Sequence, residues 1–221
     1  MLAALALIPW ADALYPVIYR FLRRLPFDEF FSTTIQFVST TCVVAIFAVI
    51  WLLDPARRRT LIVFGAALAM GGIVNETVKQ VTGRARPEFS VAMERKEALR
   101  VQQYINEHPG TPVRCDRRDQ WLLFQPNRSY FDSEYASFPS GHANTAFALA
   151  ACLCIVYGRG RIVWFVLAAG CALARVWGRR HFHEDVLFGG ALGWIIAQWV
   201  FSWNWPNTLA GWLNQRTKLF P

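Results

Sequence analysis

Three short stretches place ionisable side chains at the margins of apolar sequence: Lys79 with Arg84 and Arg86, the run Pro139-Ser140-Gly141-His142, and Arg175 with His181 and Asp185. Such placements are costly beside hydrocarbon and call for a reason. Lys79, Arg86 and Arg175 can surround a dianionic phosphoryl group, with arginine supplying paired hydrogen bonds. Ser140 offers a hydroxyl. Gly141 lets a ligand approach the backbone at a helix start, where amide groups and dipole favour an anion. Two imidazoles, His142 and His181, can divide the roles of nucleophile and acid. His181 and Asp185 are four residues apart, so on one helix they share a face and the carboxylate can hold the ring tautomer. Phosphoryl transfer asks for little beyond this positioning and charge.

Each residue alone has a plainer reading. A single Lys or Arg at a membrane boundary is more often a snorkelling anchor, and Pro-Ser-Gly is often only a helix cap. Glu76 lies one turn before Lys79 and is expected to pair with it. His183 should point away from His181, and Arg179, Arg180 and Glu184 read as surface charges.

The elements that must position these groups are apolar blocks. The chain has 221 residues, 54% of them hydrophobic, which suits one domain. Phe30 to Leu53, Ala136 to Gly158 and Val186 to Gln215 contain no Asp, Glu, Lys or Arg, and a helical span needs about 20 apolar residues. Spans are expected near 31–53, 60–79, 141–157, 161–177 and 185–204. Residues 1–25 carry an apolar run broken by Asp12 and Pro16 and ending at Arg23-Arg24. They read as an interfacial helix or a short first span, since the basic leader of a signal peptide is missing. The fold class is therefore all-α: a polytopic transmembrane bundle of five to six helices forming a single domain over 1–221.

Two spans separate the Arg-rich turns at 54–59 and 158–161, so these share a side, which the positive-inside rule makes cytoplasmic. The long polar connection 84–138 and the turn 176–184 then share the other face, periplasmic in a bacterial inner membrane. All three clusters fall on that face. The connection should hold a short helix around Val91 to Ile105. Gly189 with Gly193, and Gly65 with Ala69, are spaced for close helix contact.

The net charge of +8 sits in small groups between apolar blocks, so nucleic acid is not an expected partner. Four of the five cysteines, Cys42, Cys152, Cys154 and Cys171, lie inside apolar spans, where a free thiol acts as a small hydrophobe. Only Cys115 lies in a polar segment, so no disulfide framework is expected. Asp116 and Asp119 read as a solvated pair.

Lys79, six residues, then Arg86-Pro87 resembles the first motif of the type 2 phosphatidic acid phosphatase superfamily. Pro139-Ser140-Gly141-His142 resembles its second, and Arg175, five residues, His181, three residues, Asp185 its third. The motifs run from 79 to 185, about half the chain, and the flanking spans resemble the integral-membrane lipid phosphate phosphatase branch. Ala174 departs from the serine often found before the third-motif arginine, at the loss of one hydroxyl.

The resemblance implies that His181 attacks phosphorus and becomes a phosphohistidine, with Asp185 orienting it. His142 then protonates the leaving oxygen and activates water, while Lys79, Arg86, Ser140, Gly141 and Arg175 hold the phosphoryl oxygens. The family is similar to vanadium haloperoxidases, which are soluble, so the spans argue against that activity. No cofactor is implied. No metal is expected, since the motifs offer one carboxylate, Asp185, already assigned to His181. The implied partner is a lipid phosphate held in the bilayer: undecaprenyl pyrophosphate, phosphatidylglycerophosphate, phosphatidic acid or a lipid A phosphate. Transfer to another lipid acceptor is the alternative to hydrolysis.

Overall fold

The structure, a computed structural model, describes residues 8–24, 26–84, 86–87, 106–107, 136–203, 208–209 and 212. Their regular structure is helical: α1 (Ile8–Arg24), α2 (Asp28–Ile35), α3 (Thr40–Leu53), α4 (Thr60–Thr82), α5 (Gly141–Val156), α6 (Arg161–Trp177) and α7 (His183–Phe201). Short 3-10 turns occupy Gln36–Val38, Pro55–Arg57 and Gly158–Gly160. The helix expected at Val91 to Ile105 lies outside the described residues.

Local chemistry sets the boundaries. Ser140 stands at the N-cap of α5, where its Oγ accepts from the Ala143 amide at 3.5 Å. Gly83 closes α4 with φ of 55°, a left-handed conformation that glycine adopts without a Cβ penalty. The span expected at 31–53 is instead α2 and α3 joined at a 61° bend. At the break Ser39 is extended and its Oγ accepts the Cys42 amide. A hydroxyl that bonds its own backbone competes with helix continuation.

Among the described residues two helices, Thr60–Thr82 and the stretch Gly158–Trp177, are long and apolar enough to cross a membrane, and the bent α2–α3 pair makes a third if taken as one span. This is fewer than the five to six expected. Helix α5, with 16 residues, is about 24 Å long at 1.5 Å per residue. It is wrapped by protein: Ala143, Ala146 and Ala148 through Cys152 are fully buried.

Small residues let α7 lie against α5. A Cβ added to Gly193 would sit 2.1 Å from the Asn144 carbonyl oxygen, and one on Gly189 would sit 2.4 Å from that of Ser140. The close contact expected of this pair is present. Gly65 is different: no atom lies within 4 Å of its would-be Cβ, so no neighbour presses on that position.

The far end of the bundle gathers the Arg-rich turns. Tyr157 Oη donates to Asp54 Oδ2 at 3.0 Å, and the Arg57 guanidinium lies 4.8 Å over the Tyr157 ring. The turns at 54–59 and 158–160 therefore share an end. The third-motif turn and the Lys79 end of α4 lie at the other end, about 35 Å away along 23 residues of α4.

Overpacking at a backbone contact costs about 1–3 kcal/mol. Gly193→Ala should lower the unfolding temperature in detergent by several degrees, whereas Gly65→Ala should leave it unchanged or slightly raised. Thermal denaturation of the two variants beside the parent tests this packing.

Candidate functional site

Helix α4 brings Lys79 to the rim of the site in its last turn. Lys79 Nζ is 3.1 Å from Glu76 Oε2, the pairing expected from their spacing, and 3.8 Å from where a Gly141 Cβ would stand. Thr82 Oγ1 donates to the Phe138 carbonyl at 3.0 Å, and the Ser137 amide donates to the Arg84 carbonyl at 3.0 Å. The first and second motif segments are thus stitched together by one side-chain and one backbone donor.

The second motif is docked just as tightly on α7. The Ser140 amide donates to the Asp185 carbonyl at 3.0 Å, an approach that Gly189 permits. Ser140 is fully buried and its hydroxyl also caps α5. Capping uses its oxygen as an acceptor, so its proton is still available to an anion.

The third motif closes on itself. The Arg175 carbonyl accepts the Arg180 amide at 3.1 Å and the His181 amide at 3.3 Å. This hangs the histidine beneath the last turn of α6. Arg179 completes the turn with a left-handed φ of 58°, and its guanidinium lies over the Tyr19 ring of α1 at 5.9 Å. Arg175, His181, Lys79 and Arg86 all act electrostatically on His142 in the first turn of α5. Segments more than a hundred residues apart therefore meet around one space at the mouth of the bundle.

Two details differ from expectation. His181 precedes α7, which begins at His183, so it does not share a helix face with Asp185. Its Nδ1 is 2.6 Å from the Ser137 carbonyl but 3.8 Å from Asp185 Oδ2, and the longer distance is no hydrogen bond. A carbonyl only accepts, so Nδ1 carries the proton and the neutral ring presents its lone pair at Nε2. The Ser137 carbonyl makes the shorter contact to Nδ1, and Asp185 stands beside it as an ion-pair partner at 3.8 Å. Burial pushes the His181 pKa below the usual histidine range, and the neighbouring Asp185 carboxylate and Ser137 carbonyl only partly offset this.

Asp185 is committed elsewhere. Its Oδ1 takes the Arg84 Nη1 donor at 2.5 Å, and its Oδ2 takes the Ser137 hydroxyl at 2.5 Å and the Phe182 amide at 2.9 Å. Glu184 is a second correction. Rather than a surface charge, it is a largely buried partner of Arg84, whose Nη2 is 2.5 Å from Glu184 Oε1. Arg84 itself is fully buried and stacks 3.9 Å above the Phe182 ring. Spacing could not single out Arg84, because Gly83-Arg84-Ala85-Arg86 holds two arginines and only burial separates them. Ser137 carried no signal, since the carbonyl that meets His181 is one any residue supplies and no spacing marks the hydroxyl that meets Asp185.

Arg180 is exposed, as a surface charge should be. His183 turns toward Glu184, with its Nδ1 3.3 Å from Oε2. Among the described residues no group of three His, Cys, Asp or Glu side chains is arranged to hold a metal ion. Asp116, Asp119 and Cys115 lie outside those residues, and Cys42, Cys152, Cys154 and Cys171 are free thiols.

A family model described as the PAP2 superfamily matches residues 60–209, which include every motif residue. The chain is 29% identical over 84 residues to the bacitracin transport permease protein BcrC of Bacillus licheniformis, 38% of this chain and 40% of that protein. It is 36% identical over 67 residues to the lipid A 1-phosphatase of Porphyromonas gingivalis, 28% of this chain and 15% of that protein. The chain thus spans less than half the length of either relative. Among solved structures, LpxE of Aquifex aeolicus superposes with a TM-score of 0.56 at 18% identity, over 86% of this chain and 94% of that one. A transmembrane PAP2-type phosphatidylglycerolphosphate phosphatase of Bacillus subtilis gives 0.53 at 18% identity, over 89% and 85%. The fold is the one these membrane proteins share, and with its long apolar helices the chain is an integral membrane protein.

Charge-assisted hydrogen bonds are worth about 1.5–3 kcal/mol each. Orthovanadate, a phosphate mimic, should therefore raise the unfolding temperature of the protein, and Arg175→Ala should weaken its binding about tenfold or more. Thermal-shift titration with vanadate measures both.

Proposed function

The chain belongs to the PAP2 superfamily, and on that premise we propose that it hydrolyses a phosphomonoester or pyrophosphate of a membrane lipid through a phosphohistidine. The observation that carries this reading is the gathering of Lys79, Arg86, Arg175 and His181 around His142 at one end of an apolar bundle. A lipid substrate can keep its tail in the bilayer and still bring its phosphate to such a place.

The steps follow from the proton positions. Lys79, Arg86 and Arg175 hold the phosphoryl oxygens, with Ser140 and the Gly141 amide at the start of α5. His181 Nε2 attacks phosphorus; the P–N bond forms as the P–O bond to the lipid breaks. His142, charged once the anionic phosphate is bound beside it, gives its proton to the departing oxygen. It then takes a proton from water, whose oxygen attacks the phosphohistidine and releases inorganic phosphate. Burial favours this nucleophile, because a neutral imidazole keeps its lone pair at a pH where an exposed one begins to protonate. Lys79, Arg86 and Arg175 supply the needed charge without a metal, so hydrolysis is expected to persist in EDTA.

In this reading α5 and α7 also cross the bilayer, completing five spans with α4, α6 and the bent α2–α3 pair. The Arg-rich turns face the cytoplasm and the site faces the periplasm. Helix α1 lies at the outer interface: Tyr15 and Leu22 are buried against the bundle while Leu14, Val17 and Phe21 are exposed. Similarity to a lipid A 1-phosphatase and to a phosphatidylglycerolphosphate phosphatase supports a lipid phosphate as substrate class. Undecaprenyl pyrophosphate and phosphatidic acid remain in the panel to be tested.

Detergent-purified protein should release inorganic phosphate from members of that panel in EDTA, and His181→Ala should lower the rate by about a thousandfold or more, the scale seen when a catalytic nucleophile is removed. Full activity in His181→Ala would sink the assignment. Labelled phosphate appearing on a second lipid rather than in solution would establish transfer instead of hydrolysis.

A further inference from the structure

The face of α4 that packs into the bundle changes character as it nears the site. Ala67, Gly71, Asn75 and Lys79 follow one another at four-residue spacing along it, and the first three are buried. Gly71 packs on α5, where a Cβ added to it would sit 2.9 Å from the Asn144 amide oxygen. One and two turns later, Asn75 and Lys79 both reach Gly141 at the start of α5. The Asn75 Nδ2 lies 3.6 Å, and Lys79 Nζ 3.8 Å, from where a Gly141 Cβ would stand. Two nitrogen donors thus flank one point beside a helix start, and glycine leaves that point clear.

Two asparagines lie between α4 and α5, and the fold satisfies them differently. Asn144, in the amide orientation that suits its neighbours, donates to the Gly71 carbonyl and accepts the Gly193 amide. Asn75 is 3% exposed, yet its Oδ1 has no hydrogen-bond partner among the described residues. A buried amide left unpaired is destabilising, and a leucine of similar size would fill the same place without that penalty. Helix packing therefore does not account for a polar side chain at this position.

We propose that Asn75 is a further phosphate-binding residue: its Nδ2–H donates to an oxygen of the phosphoryl group, beside Lys79 Nζ and the first amides of α5. The proposal deepens the hydrolase reading and rests on its anion pocket. An ionised phosphoryl group presents only acceptors, so the nitrogen is the end of the amide that faces it. The first amides of α5 have no partner within their own helix and point the same way. Lys79 is a point charge on a flexible stem. Asn75 is short and packed into α4, so it fixes in direction the oxygen whose charge Lys79 answers. Sequence gave no sign of this, because Asn75 lies one turn before the first motif inside an apolar block, where an asparagine reads as a polar contact between helices.

The test uses the full-length protein in detergent with orthovanadate as the probe, its affinity read from the rise in unfolding temperature with vanadate concentration. Asn75→Leu keeps the volume and removes the donor. It should weaken vanadate about tenfold, the worth of one hydrogen bond to a charged group, and lower kcat/KM on the lipid panel by a similar factor. Its unfolding temperature without vanadate should stay level or rise. A merely structural asparagine would give the opposite pattern, a lower temperature and an unmoved affinity. Asn75→Asp has the parent shape but carries an acceptor, so relative to the parent at each pH it should bind vanadate progressively worse as the carboxylate ionises.

An unmoved vanadate affinity in a folded Asn75→Leu overturns the proposal. If that variant does not fold, an unmoved affinity in Asn75→Ala overturns it instead. Phosphate release by the parent together with an unmoved affinity in Asn75→Leu would remove Asn75 and leave the hydrolase reading standing. Vanadate binding that depends on Asn75, in a parent that releases no phosphate from any lipid of the panel, would do the reverse.

Discussion

A guanidinium with no solvent exposure must have its charge answered inside the protein, and in this chain that requirement organises the site end of the bundle. Arg84 binds Asp185 and Glu184, which join the segment after α4 to the first turn of α7. Breaking a buried pair by removing one partner costs about 3–5 kcal/mol, so these segments cannot separate without a large penalty. The Ser137 hydroxyl on Asp185 and the Ser137 carbonyl beneath His181 extend the same network into the approach to α5. Three chain segments are thereby held in register by hydrogen-bonded charge.

Packing further down the bundle makes that register possible. Gly189 lets the Ser140 backbone rest on α7, and Gly193 one turn later lets Asn144 do the same. Asn144 is itself buried; with its amide oriented to suit its neighbours, it donates to the Gly71 carbonyl at 3.3 Å and accepts the Gly193 amide at 3.2 Å. Helices α4, α5 and α7 are therefore locked together by polar contacts as well as by alanine and glycine packing. Without water in the surroundings, close van der Waals contact and such hydrogen bonds carry most of the helix association. Rigidity here matters to chemistry, since positioning is most of what phosphoryl transfer needs.

Much of this was legible in one dimension. Helical content followed from uninterrupted apolar blocks, and the boundary near Ser140 followed from its capping sequence, while α4 runs past the expected end at 79 to Thr82. The common end for the turns at 54–59 and 158–160 followed from counting spans between them, and the Tyr157–Asp54 contact bears it out. The Glu76–Lys79 pair and the tight contacts at Gly189 and Gly193 followed from helical spacing. The break at Ser39 did not, because an apolar run looks the same whether its hydroxyls face outward or cap a new helix. Gly65 shows the converse: small-residue spacing marks a surface able to pack closely, and only the fold decides whether a neighbour is there.

Residue identity and order alone determined that the chain is helical and membrane-bound, and which cations and histidines end up at one boundary. Those features depend on local periodicity, transfer free energy and the count of spans, all of which a linear sequence contains. The tertiary structure alone decided what each group bonds to. Glu184 became a largely buried partner of Arg84, and His181 Nδ1 lies closer to the Ser137 carbonyl than to Asp185. Hydrogen bonds are directional over about 3 Å, and their choice among several nearby acceptors depends on coordinates that no spacing rule encodes.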